Sequence, residues 1–361
     1  MALTNAATGL TVQQWDDKYF VDYVRETRFQ KYMGTDVNKI IQTREELTNK
    51  KGKTITFALI NELTGDGVTG NTTLEGNEEG LDSRSHAVSV APLRHAVAVT
   101  DWDEQQSAID LRNGGKEQLK IWSKKKMRDG IINALGSING VLYSAATETQ
   151  KDAWLVDNAD RVMFGALLSN NASNDHSNSL ANIDNTNDKL SPAIVSAMKE
   201  LAQNCSPKIR PINIMEDQEW YVMFAGSRAF RDLKNNATMQ QANRDARERG
   251  KDNPLFTGDD LIWDSVIIRE IPEIANLSGV GASSIDVCPV YLCGAQAIGV
   301  AWAMRSKTSD QVRDYGFVHG VAVTEIRGIE KLLFGTSAAS DTGDLKDHGV
   351  VTGYMAGVAT A

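Results

Sequence analysis

Between Thr54 and Thr100 the chain carries two stretches of strand alternation, held apart by a long acidic segment. The first arm, Thr54-Ile-Thr-Phe-Ala-Leu-Ile60, puts Ile55, Phe57 and Leu59 on one face. The second, from His86 to Thr100, places Val88 and Val90, then Val97 and Val99, at period two. A strand buried on one side needs that alternation. The 25 residues from Asn61 to Ser85 hold five glycines, no proline and no aromatic residue. Six of them are acids, Glu62, Asp66, Glu75, Glu78, Glu79 and Asp82, and Arg84 is the only base. Such a tongue cannot bury enough apolar surface to offset its own ordering entropy. Paired strands are usually joined by short connections, and a long structureless one inside a domain is normally functional or disordered. A tongue on two good strands is therefore expected to become ordered against a neighbour.

The 361 residues allow one large or two ordinary domains with ample core material, and helix-like and strand-like patterns both occur. A net charge of −9 argues against the chain as a whole gripping nucleic acid, which needs clustered Lys and Arg. Cys205, Cys288 and Cys293 are too few and too scattered for a disulfide framework or a zinc site, and a reducing compartment is expected. Cys288 and Cys293 stand five apart in a strand-like stretch, hence on opposite faces. The first residues lack a basic and an apolar region, so no secretory signal is expected. No apolar run is long enough for a transmembrane helix, so no membrane partner is expected.

In chain order, a helix is expected from Thr11, with Val12, Trp15, Tyr19 and Tyr23 on one face and an end at Gly34. A short strand at 40–43 leads to the first arm. A helix over 103–112 is expected to break at Gly114-Gly115. The longest helix then runs from about Lys116 to Ile138, with Leu119, Trp122, Met127, Ile131 and Leu135 on its apolar face. The asparagine-rich stretch 169–188 reads as a surface insertion or a domain boundary. Ser191 and Pro192 announce the next helix as N-cap and first residue. Strands near 209–215, 220–224, 261–271, 287–292 and 297–304, with helices near 227–234 and 238–250, suggest a separate α/β domain over roughly 190–307. Strands over 311–334 and 350–358 close the chain.

Chemical motifs fail in their context. Gly52-Lys53-Thr54 resembles the end of a phosphate loop, but Leu47 stands where a glycine is required and a strand follows. Gly65-Asp-Gly67-Val-Thr-Gly70 matches the dinucleotide fingerprint by letter, yet no helix start follows to hold a pyrophosphate. A nucleotide-binding enzyme built on that loop is the competing class, and it needs that helix. Ser123-Lys-Lys-Lys126 lacks the companions of a serine–lysine nucleophile and reads as the solvated side of a helix. His86, His95, His176, His319 and His348 are dispersed, and none has a Glu or His three or four residues further on to make a metal pair. No catalytic, cofactor or metal residues are therefore assigned, no cofactor is expected, and the chain is expected not to be an enzyme.

Ordered blocks along the chain carry a resemblance instead. They include Tyr23-Val-Arg-Glu-Thr-Arg-Phe-Gln-Lys-Tyr-Met-Gly34, Leu63-Thr-Gly-Asp-Gly-Val-Thr-Gly70, Leu74-Glu-Gly-Asn-Glu-Glu79 and Leu93-Arg-His-Ala-Val97. Ala108-Ile-Asp-Leu-Arg112, Trp220-Tyr-Val-Met223 and Asn253-Pro-Leu-Phe-Thr-Gly258 continue the series. The chain resembles the major capsid proteins of tailed bacteriophages, in particular the coat family of podoviruses of the N-four type. The resemblance implies an α+β fold of the Hong Kong 97 type. It implies an N-terminal arm over 1–50, an extended β-hairpin loop over 51–100 and a peripheral domain with a long spine helix over 101–168. An axial domain over 169–307 and a return to the peripheral domain over 308–361 complete it.

The implied function is a shell of hexamers and pentamers closed into an icosahedron around double-stranded DNA, assembled in the host bacterial cytoplasm. Scaffolding, portal and possible decoration proteins are the implied partners, with weak non-specific contact to the packaged DNA. A portal or tail protein would need long ring-forming helices that the chain lacks. The acidic tongue then needs bases on the next subunit, since charge complementarity fixes register. Candidates are Lys124, Lys125, Lys126 and Arg128 on the spine helix and Arg244, Arg247 and Arg249 further on. The spine-helix run is alternatively a face toward packaged nucleic acid. The type member of the fold suggests a lysine–asparagine isopeptide between subunits, but 61–85 contains no lysine, so none is expected here.

Overall fold

The structure is a computed structural model that describes residues 28–48, 51–60, 67–71, 73–79, 83–107, 110–213, 219–245, 260–334 and 345–359. The helix expected from Thr11 lies outside the described residues. Two sheets organise the rest. The larger has seven strands, running Val162–Phe164, Val350–Ala356, Val287–Cys293, Glu219–Ala225, Val266–Glu270 and Leu261–Trp263, with Ile212–Asn213 paired off that path to Glu219–Ala225. Its central strands are near-continuous apolar runs because both faces are covered. On one face Tyr221, Met223, Cys288, Val290 and Leu292 pack under the helices Pro192–Asn204 and Ser227–Asn235. On the other, Val222, Phe224, Tyr291 and Cys293 meet Met127, Ile131 and Leu135 of the spine helix. Cys288 and Cys293 thus do lie on opposite faces, and all three cysteines are free.

The second sheet has five strands, in the order Met33–Gly34, Ile41–Arg44, Ile298–Arg313, Val318–Lys331 and Ala91–Thr100. Its backbone is one long antiparallel hairpin, Ile298–Arg313 with Val318–Lys331. The spine helix, Leu111–Leu135, packs across it through Leu119, Val321 and Val323 at one end and Met127 and Ile329 further along. This helix corrects the expected break at Gly114-Gly115. Asp110 caps it, its side chain accepting from the Asn113 amide at 2.9 Å, so the helix begins before the glycines and runs through them. Gly115 is there because the sheet comes close: a Cβ would stand 3.1 Å from Val97. The helix expected over 103–112 is only Asp101–Gln106.

The asparagine-rich stretch is also more than an insertion. It contains a helix, His176–Ala181, with His176, Leu180 and Ile183 buried. Buried Asp188 ties it down by accepting from the Ala166 amide at 2.7 Å and the Asp184 amide at 2.8 Å. Its polar residues close turns, as where Asn171 Oδ1 accepts from the Asn174 amide at 2.8 Å. The expected domain limits do not coincide with the sheets. Val162–Phe164 and Val350–Ala356, both expected on the peripheral side, are neighbours in the seven-stranded sheet, with Thr352 opposite Val162.

Candidate functional site

The first arm, Thr54–Ile60, pairs antiparallel with Ser83–Ser89, bringing Ile55 opposite Val88 and Phe57 opposite His86. The second arm divides at Val90: Ala91–Thr100 leaves the hairpin and pairs with Val318–Lys331. A two-stranded hairpin is marginal alone and must bury a face elsewhere. Here Ile55, Phe57 and Val88 bury against Ala301, Leu332 and Phe334 of the body. Arg44 lies over the Phe57 ring at 5.0 Å, and His86 Nε2 is 3.3 Å from Glu330. The root of the hairpin is therefore fixed.

Beyond that root the described residues 73–79 of the tongue are exposed. Glu75, Glu78 and Glu79 are exposed, and Leu74 is 63% exposed. Local bonds shape a turn: Glu78 accepts from the Gly76 amide at 2.8 Å and Asn77 Nδ2 donates to the Thr73 carbonyl at 2.9 Å. Gly67, Gly70 and Gly76 all take positive φ. Among the described residues no helix follows Gly70, so the dinucleotide reading has no cradle. Glu62, Asp66 and Asp82 lie outside the described residues. Arg84 is only 8% exposed, in the Ser83–Ser89 strand.

The proposed basic partners are not equivalent. Lys125 and Lys126 are exposed on the spine helix and Lys124 is half-buried. Arg128 is engaged within the chain, donating to Glu273 at 2.8 Å and Asp129 at 3.1 Å. Arg244 falls in the helix Ala237–Asp245, and Arg247 and Arg249 lie outside the described residues.

A second projection escapes the sequence reading. The long hairpin ends in the turn Asp314–Gly316, with Val312 and Phe317 exposed and Tyr315 fully exposed. Trp102 is exposed on the helix Asp101–Gln106, which is held to the hairpin's end by the Asp101 amide donating to the Phe317 carbonyl at 3.0 Å and by His319 at 3.1 Å from Asp101. Asp314-Tyr-Gly316 ahead of the valine-rich stretch from Val318 was the available turn signal, and all three residues take positive φ.

Among the described residues no group of three or more His, Cys, Asp or Glu side chains could hold a metal ion. No described helix is long and apolar enough to cross a membrane. The chemistry this surface offers is contact: a rooted acidic tongue and an apolar hairpin tip, both projecting from a body organised by two sheets.

The profile of the family described as phage capsid protein matches residues 4–359. The chain belongs to that family. It is 28% identical over 354 residues to the major capsid protein of Pseudomonas phage KPP25, covering 90% of this chain and 89% of that one. Its fold matches the capsid asymmetric unit of cyanophage Pam1 with a TM-score of 0.84, at 34% identity and full coverage of both chains. The capsid of Ralstonia phage GP4 shares the fold at a TM-score of 0.73 and 22% identity, over 93% of this chain and 92% of that one. The protein is a phage major capsid protein, a structural component of the virion shell built from many copies, and its family is not an enzyme class. The expectation of a mixed α+β capsid fold is met at that level.

Proposed function

We propose that this capsid protein has the Hong Kong 97 type of fold in its N-four-type podovirus form, and that it forms hexamers and pentamers closed into an icosahedral shell around double-stranded DNA. The observation that carries this reading is the rooted but uncovered tongue. Its base is packed against the body through Phe57 and Val88, while Leu74, Glu75, Glu78 and Glu79 stand in solvent. A subunit that tiles a shell needs heterologous, repeating contacts, and projecting arms extend interface area beyond a globule's reach.

In this reading 1–50 is the arm, which lends Met33–Gly34 and Ile41–Arg44 to the five-stranded sheet, and 51–100 is the extended loop, whose Ala91–Thr100 returns to that sheet. The axial domain is built on the seven-stranded sheet, and so includes Val162–Phe164 and Val350–Ala356 along with most of 169–307. The peripheral domain is built on the five-stranded sheet and the spine helix. The tongue acids meet exposed Lys125 and Lys126 of the next subunit, with Arg128 acting through its own chain. Assembly takes place in the host cytoplasm with scaffolding and portal proteins, and a decoration protein is a further partner.

The test is sedimentation and electron microscopy of the purified chain at micromolar concentration, with and without a scaffold. Closed shells with six-fold and five-fold capsomers are expected. A stable monomer in both conditions, or only open sheets and tubes, overturns the reading.

A further inference from the structure

A cavity of about 370 Å³ opens where the C-terminal end of the spine helix meets the seven-stranded sheet. Ile132 of the helix, Leu142, Ile274, Leu277 and Pro289 give it apolar walls. Three tyrosines, Tyr143, Tyr291 and Tyr354, also line it. The Tyr354 hydroxyl has a partner in His176 Nε2 at 3.4 Å. The Tyr291 hydroxyl has none among the described residues, although Tyr291 is only 6% exposed. Gly136 leaves that phenol its room, since a Cβ there would stand 2.8 Å from the Tyr291 oxygen.

This hydroxyl opens on the cavity, so a guest that displaces the cavity's water without offering an acceptor leaves it unpaired, and a bound acceptor removes that cost. Burial holds the Tyr143 and Tyr291 phenols protonated at neutral pH, so both are available as O–H donors. The apolar walls penalise an ion of either sign by stripping its water. What remains is a neutral molecule with an apolar, flat body and a carbonyl-type acceptor. An apolar cavity of about 150 Å³ holds benzene, so there is room here for roughly a dozen non-hydrogen atoms. Cavities of this size with apolar walls and a few placed polar groups are the usual form of small-molecule sites.

We propose that this cavity is a binding site for a neutral, carbonyl-bearing aromatic molecule, oriented by the Tyr291 hydroxyl and seated between the spine helix and the seven-stranded sheet. This goes beyond the assembly reading and does not depend on the geometry of the shell.

The test is titration of the purified full chain with 2-acetylnaphthalene, followed by fluorescence and calorimetry, with naphthalene as the probe that lacks an acceptor. Saturable binding of one ketone per chain is expected, tighter than naphthalene. Tyr291→Phe should weaken the ketone about tenfold, the value of one hydrogen bond, and leave naphthalene unchanged. Retained naphthalene binding also reports that the variant is folded. Leu142→Trp, at a half-exposed wall position, should abolish binding of both probes. Absence of saturable binding in the wild type overturns the proposal. So does equal affinity for the two probes, an unchanged ketone affinity in Tyr291→Phe, or full binding in Leu142→Trp.

Discussion

Lys331 and Asp347 form an ion pair at 2.7 Å with both side chains 1% exposed. The same carboxylate oxygen accepts from Trp154 Nε1 at 3.3 Å, Lys331 donates to the Leu135 carbonyl at 3.4 Å, and Arg161 donates to the Asp347 carbonyl at 2.7 Å. The cluster joins the end of the spine helix, the long hairpin and the short strand Lys346–Asp347 that precedes the last strand. A buried pair contributes modest net stability when whole, but removing one partner strands a charge. Lys331→Met should therefore destabilise the free subunit by about 3–5 kcal/mol in urea denaturation, and the Lys331→Met/Asp347→Leu double variant should recover part of that loss. An undiminished midpoint in Lys331→Met would contradict the role given to the pair. His176 and His348 are the complementary case of groups kept neutral. Burial, with Lys151 acting on the first and Arg161 on the second, lowers each from the usual 6.5 to about 4. A histidine whose folded value is depressed is protonated first in the unfolded chain, so its contribution is lost as pH falls from about 6.5 to about 4. Glu325, raised by burial, acts in the opposite sense. Comparing variants removes its contribution: the subunit carrying His176→Phe and His348→Phe should lose less thermal stability between pH 6.5 and 4 than the wild type. Parallel curves would exclude these histidines as the cause.

At the scale of elements, legibility followed periodicity. Thr54–Ile60 was readable because Ile55 and Phe57 alternate with polar residues and bury as expected. The end of the spine helix near Leu135 was readable for the same reason. Its start was not, because Gly114-Gly115 signals a break locally, whereas Asp110 and the nearness of Val97 decide otherwise. The long hairpin was only half legible. Val318–Lys331 alternates, but Lys307-Thr-Ser-Asp-Gln311 has no apolar face and is a strand only through its ladder, with Thr308 opposite Val323. The helix Glu148–Asp157 was announced by Thr147 and Gln150, which form a reciprocal capping box that periodicity alone overlooks. In the candidate surface the tongue was visible from composition. The apolar tip at Tyr315 was not, since single exposed aromatics look like core until the topology is known. Glycines in these elements separate into two kinds, and substitution tests the distinction. A Cβ at Gly114 meets nothing, so Gly114→Ala should stabilise the subunit by about 1 kcal/mol through helix propensity. A Cβ at Gly328 would collide with the Ser89 carbonyl where the arm hairpin crosses the sheet, so Gly328→Ala should lower the melting temperature. Equal and small effects at both positions would remove the close approach from the account.

For the whole molecule, the proposed assembly gives the tongue the task of holding neighbouring subunits. Amide cross-links between subunits need a lysine amine freed of its proton beside an acceptor amide on the neighbour. Asn61 to Ser85 has no lysine, and Lys53, at the base of the first arm, sits where Val90 donates to its carbonyl at 3.0 Å. Mature particles boiled in detergent should release this chain as one monomer band; a ladder resistant to reductant would contradict this. In the proposed assembly the shell then rests on non-covalent contacts, and the acidic tongue sets their salt dependence. Glu75, Glu78 and Glu79 are exposed, while the hairpin's contribution to the core comes from Ile55, Phe57 and Val88 at its root. On that proposal, folding and assembly draw on different residues of one hairpin. Replacing Glu75, Glu78, Glu79 and Asp82 with Lys should leave the melt of the isolated subunit within about 0.5 kcal/mol of wild type, as for surface changes away from packed groups. Assembly, read by light scattering across a salt series, should fail at low salt, where unscreened charge is strongest, and recover in part as salt rises. A large drop in subunit stability with shells still forming would mean that the tongue belongs to the core of its own subunit and not to its neighbour's surface.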